Sequence, residues 1–175
     1  MHLPRLHPLR ARLLILFAAV AVGPLVTVGV FDYARTQSLG AQAITLNPYL
    51  GGEALRPFLT RSDRGAFVLC KTSNPAADEF QALAVEGGLL YEVVAQHAQQ
   101  WTTNGNVGLV VGATDPRALA RVRSAAPDLW FLVPGIGAQG GDLKSSLEAG
   151  LRPDGLGLLI NVSRQIARAS DPREE

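Results

Sequence analysis

The sequence predicts an α/β fold built from about five successive strand–helix units. Three observations carry this. Short apolar runs recur along the chain, each followed by a loop and then by a stretch with helical character. The runs are apolar throughout rather than alternating, as strands buried on both faces of a parallel sheet are. Polar residues gather just after the runs, at Asn47, Ser73, Thr114, Gln139 and Asn161 to Arg164. That edge of a parallel sheet is where ligands bind, whether the sheet closes into a barrel or stays open.

In order, Ala41 to Leu46 reads as the first strand, ending in Asn47-Pro48-Tyr49-Leu50-Gly51-Gly52, with a short helix over Glu53 to Leu59. Gly65 to Lys71 is the second strand, ending in Thr72-Ser73-Asn74-Pro75. Phe80, Leu83, Ala84, Leu90, Val94 and Ala98 mark a long helix within 76–100, which the Gly87-Gly88 pair bends or splits. Asn106 to Val111 is the third strand. Asp115 as N-cap and Pro116 at the first helical position then start a helix running to Ala126. Leu129 to Val133 is the fourth strand and feeds the glycine-rich turn Pro134 to Gly141, with a helix from Asp142 to Ala149. Gly155 to Ile160 is the fifth strand, followed by Asn161-Val162-Ser163-Arg164 and a last helix to about Ala169.

Composition narrows the function classes. The chain has 175 residues, enough for one domain with a core. It is 47% hydrophobic with a net charge of +1, which implies no polyanion and so no nucleic-acid partner. A single cysteine, Cys70, excludes an internal disulfide and fits a reducing, cytoplasmic compartment. That cysteine and the three histidines are scattered without ligand spacing, so no metal site is expected.

Residues 1–32 stand apart from the domain, which spans 33–170, with 171–175 a disordered tail. Arg5, Arg10 and Arg12 precede nineteen uncharged residues, Leu13 to Phe31. One reading is a membrane anchor or signal segment. Gly23, Pro24 and Gly29 interrupt the run, no small-x-small cleavage site follows, and the composition resembles out-of-frame translation of GC-rich DNA. The second reading, an incorrect start or a frameshift, is preferred.

The stretch Val133 to Asp142 carries the chemistry. Strand, glycine turn and helix start together let backbone approach a ligand and offer helix N–H groups to an anion. The loop after the last strand adds Arg164, whose guanidinium can grip phosphate bidentately. Two such loops in succession are what the phosphate site of a (β/α)8 barrel looks like.

The motifs LCKTSNP, GLVVGAT, FLVPGIGAQGGD and LLINVSR, preceded by ITLNPYLGGEALRPFL, resemble the orotidine 5′-phosphate decarboxylase family in its bacterial type 2 form. The match covers about Tyr33 to Ala169. It implies a partial (β/α)8 barrel, about five of eight βα units, from a family that converts orotidine 5′-monophosphate to UMP and CO2 without a cofactor and acts as a homodimer. It further implies pyrimidine contacts from Ser73 and Gln139. Phosphate contacts would come from Gln139, Arg164 and backbone amides around Gly137 and Ser163, with Asn47 and Pro48 shaping the floor. Ala76 stands where the family has glycine. The family's Asp-x-Lys-x-x-Asp is absent from these residues, so no catalytic residue is assigned and the chain alone is expected to bind a UMP-like nucleotide without turnover. A non-catalytic half barrel, membrane-tethered through Leu13 to Phe31, is the alternative. Of the two lysines, Lys144 follows the phosphate loop, and Lys71 shares a face with Ser73 if the strand stays extended. Lys71 reads as a charge paired in a polar layer rather than a substitute catalytic acid. Asp63 and Arg64 fall at the wrong barrel end. Trp101 and Trp130 read as packing, His97 as a helix-face residue, Cys70 as inert, and Glu86 and Glu92 as solvated charges.

Overall fold

The computed structural model describes residues 41–162. Five parallel strands form one sheet in the order β1 (Ala43–Leu46), β2 (Gly65–Lys71), β5 (Val107–Val111), β6 (Trp130–Pro134) and β7 (Leu158–Asn161). Helices α1 (Gly51–Leu59), α3 (Leu90–Trp101), α4 (Pro116–Ala125) and α5 (Leu143–Gly150) join consecutive strands. This is a five-unit part of a barrel. The N-terminal segment with Leu13 to Phe31, the predicted last helix, Ser163, Arg164 and the tail lie outside the described residues. Among the described residues no helix is long and apolar enough to cross a membrane.

The core lies between the sheet and its helices. Val68, Cys70, Leu109, Val111, Phe131 and Val133 from the strands pack with Leu55, Leu59, Tyr91, Ala95, Leu119 and Val122 from the helices. Every residue of β5, the middle strand, is buried. Exposure alternates along β1 and β7, the outer strands, because successive side chains point to opposite faces of the sheet. The uniformly apolar reading therefore describes β5, while β2 and β6 bury alternate residues deeply against the helices.

The cap predicted at Asp115 forms, and a second forms at Asp142, which the sequence placed at a helix start. Asp115 Oδ1 accepts from the Ala118 amide at 3.0 Å and starts α4. Asp142 Oδ1 accepts from the Ser145 amide at 2.8 Å and starts α5.

The predicted long helix within 76–100 is split, and its long part forms only as α3, after Gly87-Gly88. A 3-10 turn (Pro75–Ala77) runs into a four-residue helix, α2 (Asp78–Gln81), and a small antiparallel hairpin, β3 (Ala84–Val85) with β4 (Gly88–Leu89), comes before α3. Gly87 and Gly88 adopt φ of 95° and 133°, which a helix does not allow. Phe80 and Leu83 consequently leave the expected stripe and stand 70% and 49% exposed. Strand β7 starts later than Gly155 because Gly155 and Gly157 also take positive φ and form a turn, closed by Arg152 N to Leu156 O at 2.9 Å.

Candidate functional site

The carboxyl ends of β2, β5 and β6 meet at one cavity of about 380 Å3. Lys71, Ser73, Asp78, Thr114, Asp115 and Gln139 are among its lining residues. Two of the predicted residues touch there: the Ser73 hydroxyl donates to Gln139 Oε1 at 2.6 Å, joining positions 66 residues apart in sequence.

Ser73 occupies a slot between two glycines. A Cβ at Gly112 would lie 2.8 Å from Ser73 Cα, and one at Gly135 would lie 3.0 Å from both Ser73 Cβ and Gln139 Oε1. Gly135 also holds φ at 101°, a region that L side chains rarely adopt. The glycine loop after β6 closes on itself through Gly137 N to Gly141 O at 3.0 Å, Gly140 N to Gly137 O at 2.7 Å and Gly141 N to Gly135 O at 3.0 Å. Those bonds use the Gly137, Gly140 and Gly141 amides; the Ala138 and Gln139 amides take no part in them. Gly137 and Gln139 both stand exposed on the loop. The following helix start already carries a carboxylate. Asp142 takes the Ser145 hydroxyl at 2.6 Å as well as the amide, and these two bonds, the hydroxyl first, hold its carboxyl below the usual range.

Strand β2 does not stay extended to Ser73. Leu69 pairs with Val110 and Lys71 with Val111, so an irregularity of one residue interrupts the ladder. Lys71 is 6% exposed, and its Nζ lies 3.0 Å from Asp78 Oδ1. It is a paired charge at the polar end of the strand. Cys70, beside it, is buried, donates to Tyr91 O at 3.1 Å, and is pushed by burial to a pKa of about 12. At neutral pH it is an unreactive thiol.

The remaining sequence candidates lie elsewhere. Asn47 Oδ1 accepts from the Tyr49 amide at 3.0 Å and caps the turn Pro48–Leu50; Pro48 is half-buried in it. Asp63 and Arg64 sit at the opposite end of β2, where the Arg61 hydrogen bond brings the Asp63 carboxyl down to about 2. Glu92 is not a solvated charge. It accepts from the Leu89 amide at 2.7 Å and pairs with Arg121 at 3.0 Å, and these contacts, the amide first, lower its pKa. A larger groove of about 470 Å3 between α1 and Trp101 is lined by none of the predicted site residues. Among the described residues no three metal-ligating side chains cluster.

Sequence reasoning missed Asp78, Gln81 and Gly112. The first two sat within a stretch read as one long helix, and nothing in the sequence separated Gly112 from other strand-end glycines. The signal available was Pro75, whose 3-10 turn delivers Asp78 back toward the end of β2.

Comparison with known proteins gives a consistent result. The family model described as "Orotidine 5'-phosphate decarboxylase / HUMPS family" matches residues 30–175. The chain is 52% identical over 141 residues to the orotidine 5'-phosphate decarboxylase of Roseiflexus castenholzii, an alignment covering 78% of this chain and 52% of that protein. The structure is similar to Leishmania donovani UMP synthase, with a TM-score of 0.80 and 59% identity, covering 85% of this chain and 34% of the other. It is also similar to Leishmania donovani OMP decarboxylase, with a TM-score of 0.78 and 56% identity, covering 85% and 58%. The chain spans about half the length of the curated relatives it matches.

Proposed function

This chain belongs to the orotidine 5'-phosphate decarboxylase / HUMPS family, and we propose that it forms the pyrimidine- and phosphate-binding portion of such an enzyme's barrel. The observation that carries the proposal is the 2.6 Å bond from Ser73 to Gln139, which joins the β2 and β6 loops at one cavity. A hydroxyl and a primary amide suit the hydrogen-bonding edge of a pyrimidine ring. With its oxygen engaged by Ser73, the Gln139 amide keeps two N–H donors to offer the ring or a phosphate oxygen. Arg164 supplies the charge for a phosphate dianion, assisted by amides around Gly137 and Ser163.

The whole protein's reaction is proposed to be decarboxylation of orotidine 5'-monophosphate to UMP in pyrimidine biosynthesis. It runs without a cofactor, in a cytoplasmic homodimer with a domain over 33–170. The carboxylates and lysine of an Asp-x-Lys-x-x-Asp segment are needed to turn binding energy into transition-state stabilisation. These 175 residues do not contain that segment, so by themselves they bind nucleotide without releasing CO2.

Titration calorimetry of the purified chain with UMP, paired with a CO2-release assay on orotidine 5'-monophosphate, tests this. UMP binding that weakens about tenfold in Gln139→Ala and further in Arg164→Ala, without turnover, is expected. Absence of UMP binding at millimolar nucleotide sinks the binding assignment, and turnover abolished by Arg164→Ala sinks the inactivity.

A further inference from the structure

Among the described residues, Lys71 is the one charged side chain that is buried. Its partner Asp78 has a side chain 71% exposed and comes from α2, beyond the Ser73 turn. A second contact ties the same two segments together. The Thr72 amide donates to Gln81 Oε1 at 2.9 Å, and Gln81 Nε2 donates to Thr72 Oγ1 at 2.9 Å. Within the turn, Thr72 Oγ1 donates to Asn74 Oδ1 at 2.6 Å, and the Ala77 amide donates to Asn74 O at 3.1 Å. Ser73 thus directly follows Lys71, paired to Asp78, and Thr72, paired to Gln81, with Gly112 and Gly135 on either side.

The interrupted ladder at the end of β2 gives this arrangement its direction. Irregularities of this kind re-aim side chains beside sites. Here Cys70 and Lys71 are both buried, which a regular alternation does not produce. An amine in that position cannot remain unpaired, because a buried charge without a partner is costly. Asp78 is the carboxylate that reaches it, and in doing so it folds α2 back over the Ser73 turn.

We infer that Lys71 and Asp78 are a positioning pair: a latch that holds the turn carrying Ser73 in the geometry that meets Gln139. Neither residue needs to touch the nucleotide. The functional consequence rests on the nucleotide-binding reading above; the latch itself does not.

Four variants of the full chain test it: Lys71→Met, which keeps the length without the charge, Asp78→Asn, the double variant, and Asp78→Glu. Amide hydrogen exchange across 74–83 is measured first, without nucleotide. Exchange about tenfold faster in each of the first two is expected, with the double no faster than either, a coupling of about 1.4 kcal/mol. Asp78→Glu is expected to restore most of the protection. Unchanged exchange in the single variants, or additive effects in the double, overturns the latch. UMP affinity is measured second. Equal losses in both singles, not deepened in the double, support positioning; a loss in Lys71→Met alone places the amine on the ligand and overturns it. If the unaltered chain binds no UMP, the nucleotide reading fails while the exchange result still decides the latch.

Discussion

The two ends of the sheet are built differently. At the amino-terminal end, polar side chains bond to backbone. Arg123 donates to the carbonyls of Gly150, Ala126, Pro127, Leu129 and Gly157 at 2.7 to 3.2 Å, and its guanidinium lies 3.6 Å from the centre of the Phe131 ring. Asn106 Nδ2 donates to the carbonyls of Leu59, Arg61 and Arg64. At the carboxyl-terminal end, Lys71, Ser73, Asp78 and Gln139 bond to one another around a cavity. Backbone-directed bonds tie together carbonyls at helix ends and in the connecting loops, which stabilises the fold. Side-chain pairs around open space leave donors and acceptors that a ligand can use. The difference is the one expected between the stability face and the binding face of a barrel.

The comparison can be broken most sharply at Arg123. Arg123→Ala removes a shared donor from those carbonyls, of which Gly157 O keeps the Phe131 amide, and is expected to cost on the order of 3 kcal/mol in denaturant unfolding. Nucleotide affinity of the fraction still folded stays unchanged. Lysine at this position recovers only part of the loss, because an ammonium does not reproduce the planar fork of donors. A full rescue by Arg123→Lys contradicts the role given to that geometry.

At the other end the signs reverse. Gly135→Ala places a methyl 3.0 Å from Gln139 Oε1 and Ser73 Cβ on a backbone already at φ 101°, with an expected cost of about 2 kcal/mol and a larger loss of nucleotide affinity. Equal affinity with lowered stability means that the Ser73–Gln139 contact is not part of the binding surface.

Cys70 sharpens the comparison through pH. Burial raises the folded thiol from 9.0 to about 12, so the folded state favours the neutral form. The stabilisation is fully present below pH 9 and is lost as pH rises toward 12. An unfolding series is expected to show about 1 kcal/mol of loss near pH 10, absent in Cys70→Ala. A thiol reagent is expected to label Cys70 only at the rate of unfolding. The smallest stability effect belongs to Ser73→Ala, about 0.5 kcal/mol by calorimetry, since a half-buried hydroxyl contributes little once water replaces it. Its weight should fall on UMP affinity instead.

Much of this was legible in the residues. The apolar runs marked the five main strands within a few positions, and Asp115-Pro116 announced a helix start that the structure forms. Ser73 and Gln139 were singled out together and do touch. What failed was the stretch from Ala76 to Leu89. There, helical spacing of apolar residues lost to two glycines at positive φ, and Phe80 and Leu83 ended exposed. Glu92 was misread for a related reason: its partner amide at Leu89 exists only because a hairpin precedes α3.

Local chemistry by itself determined the strand–helix alternation, the caps and the glycine loop, because each depends on neighbours a few residues away along the chain. The tertiary structure alone decided what Lys71 and Arg123 do. Their partners, Asp78 across a turn and carbonyls at the end of α5 and just before β6 and β7, are brought together by packing. A buried cation takes whatever acceptors the fold delivers to it, and no spacing in the sequence names them.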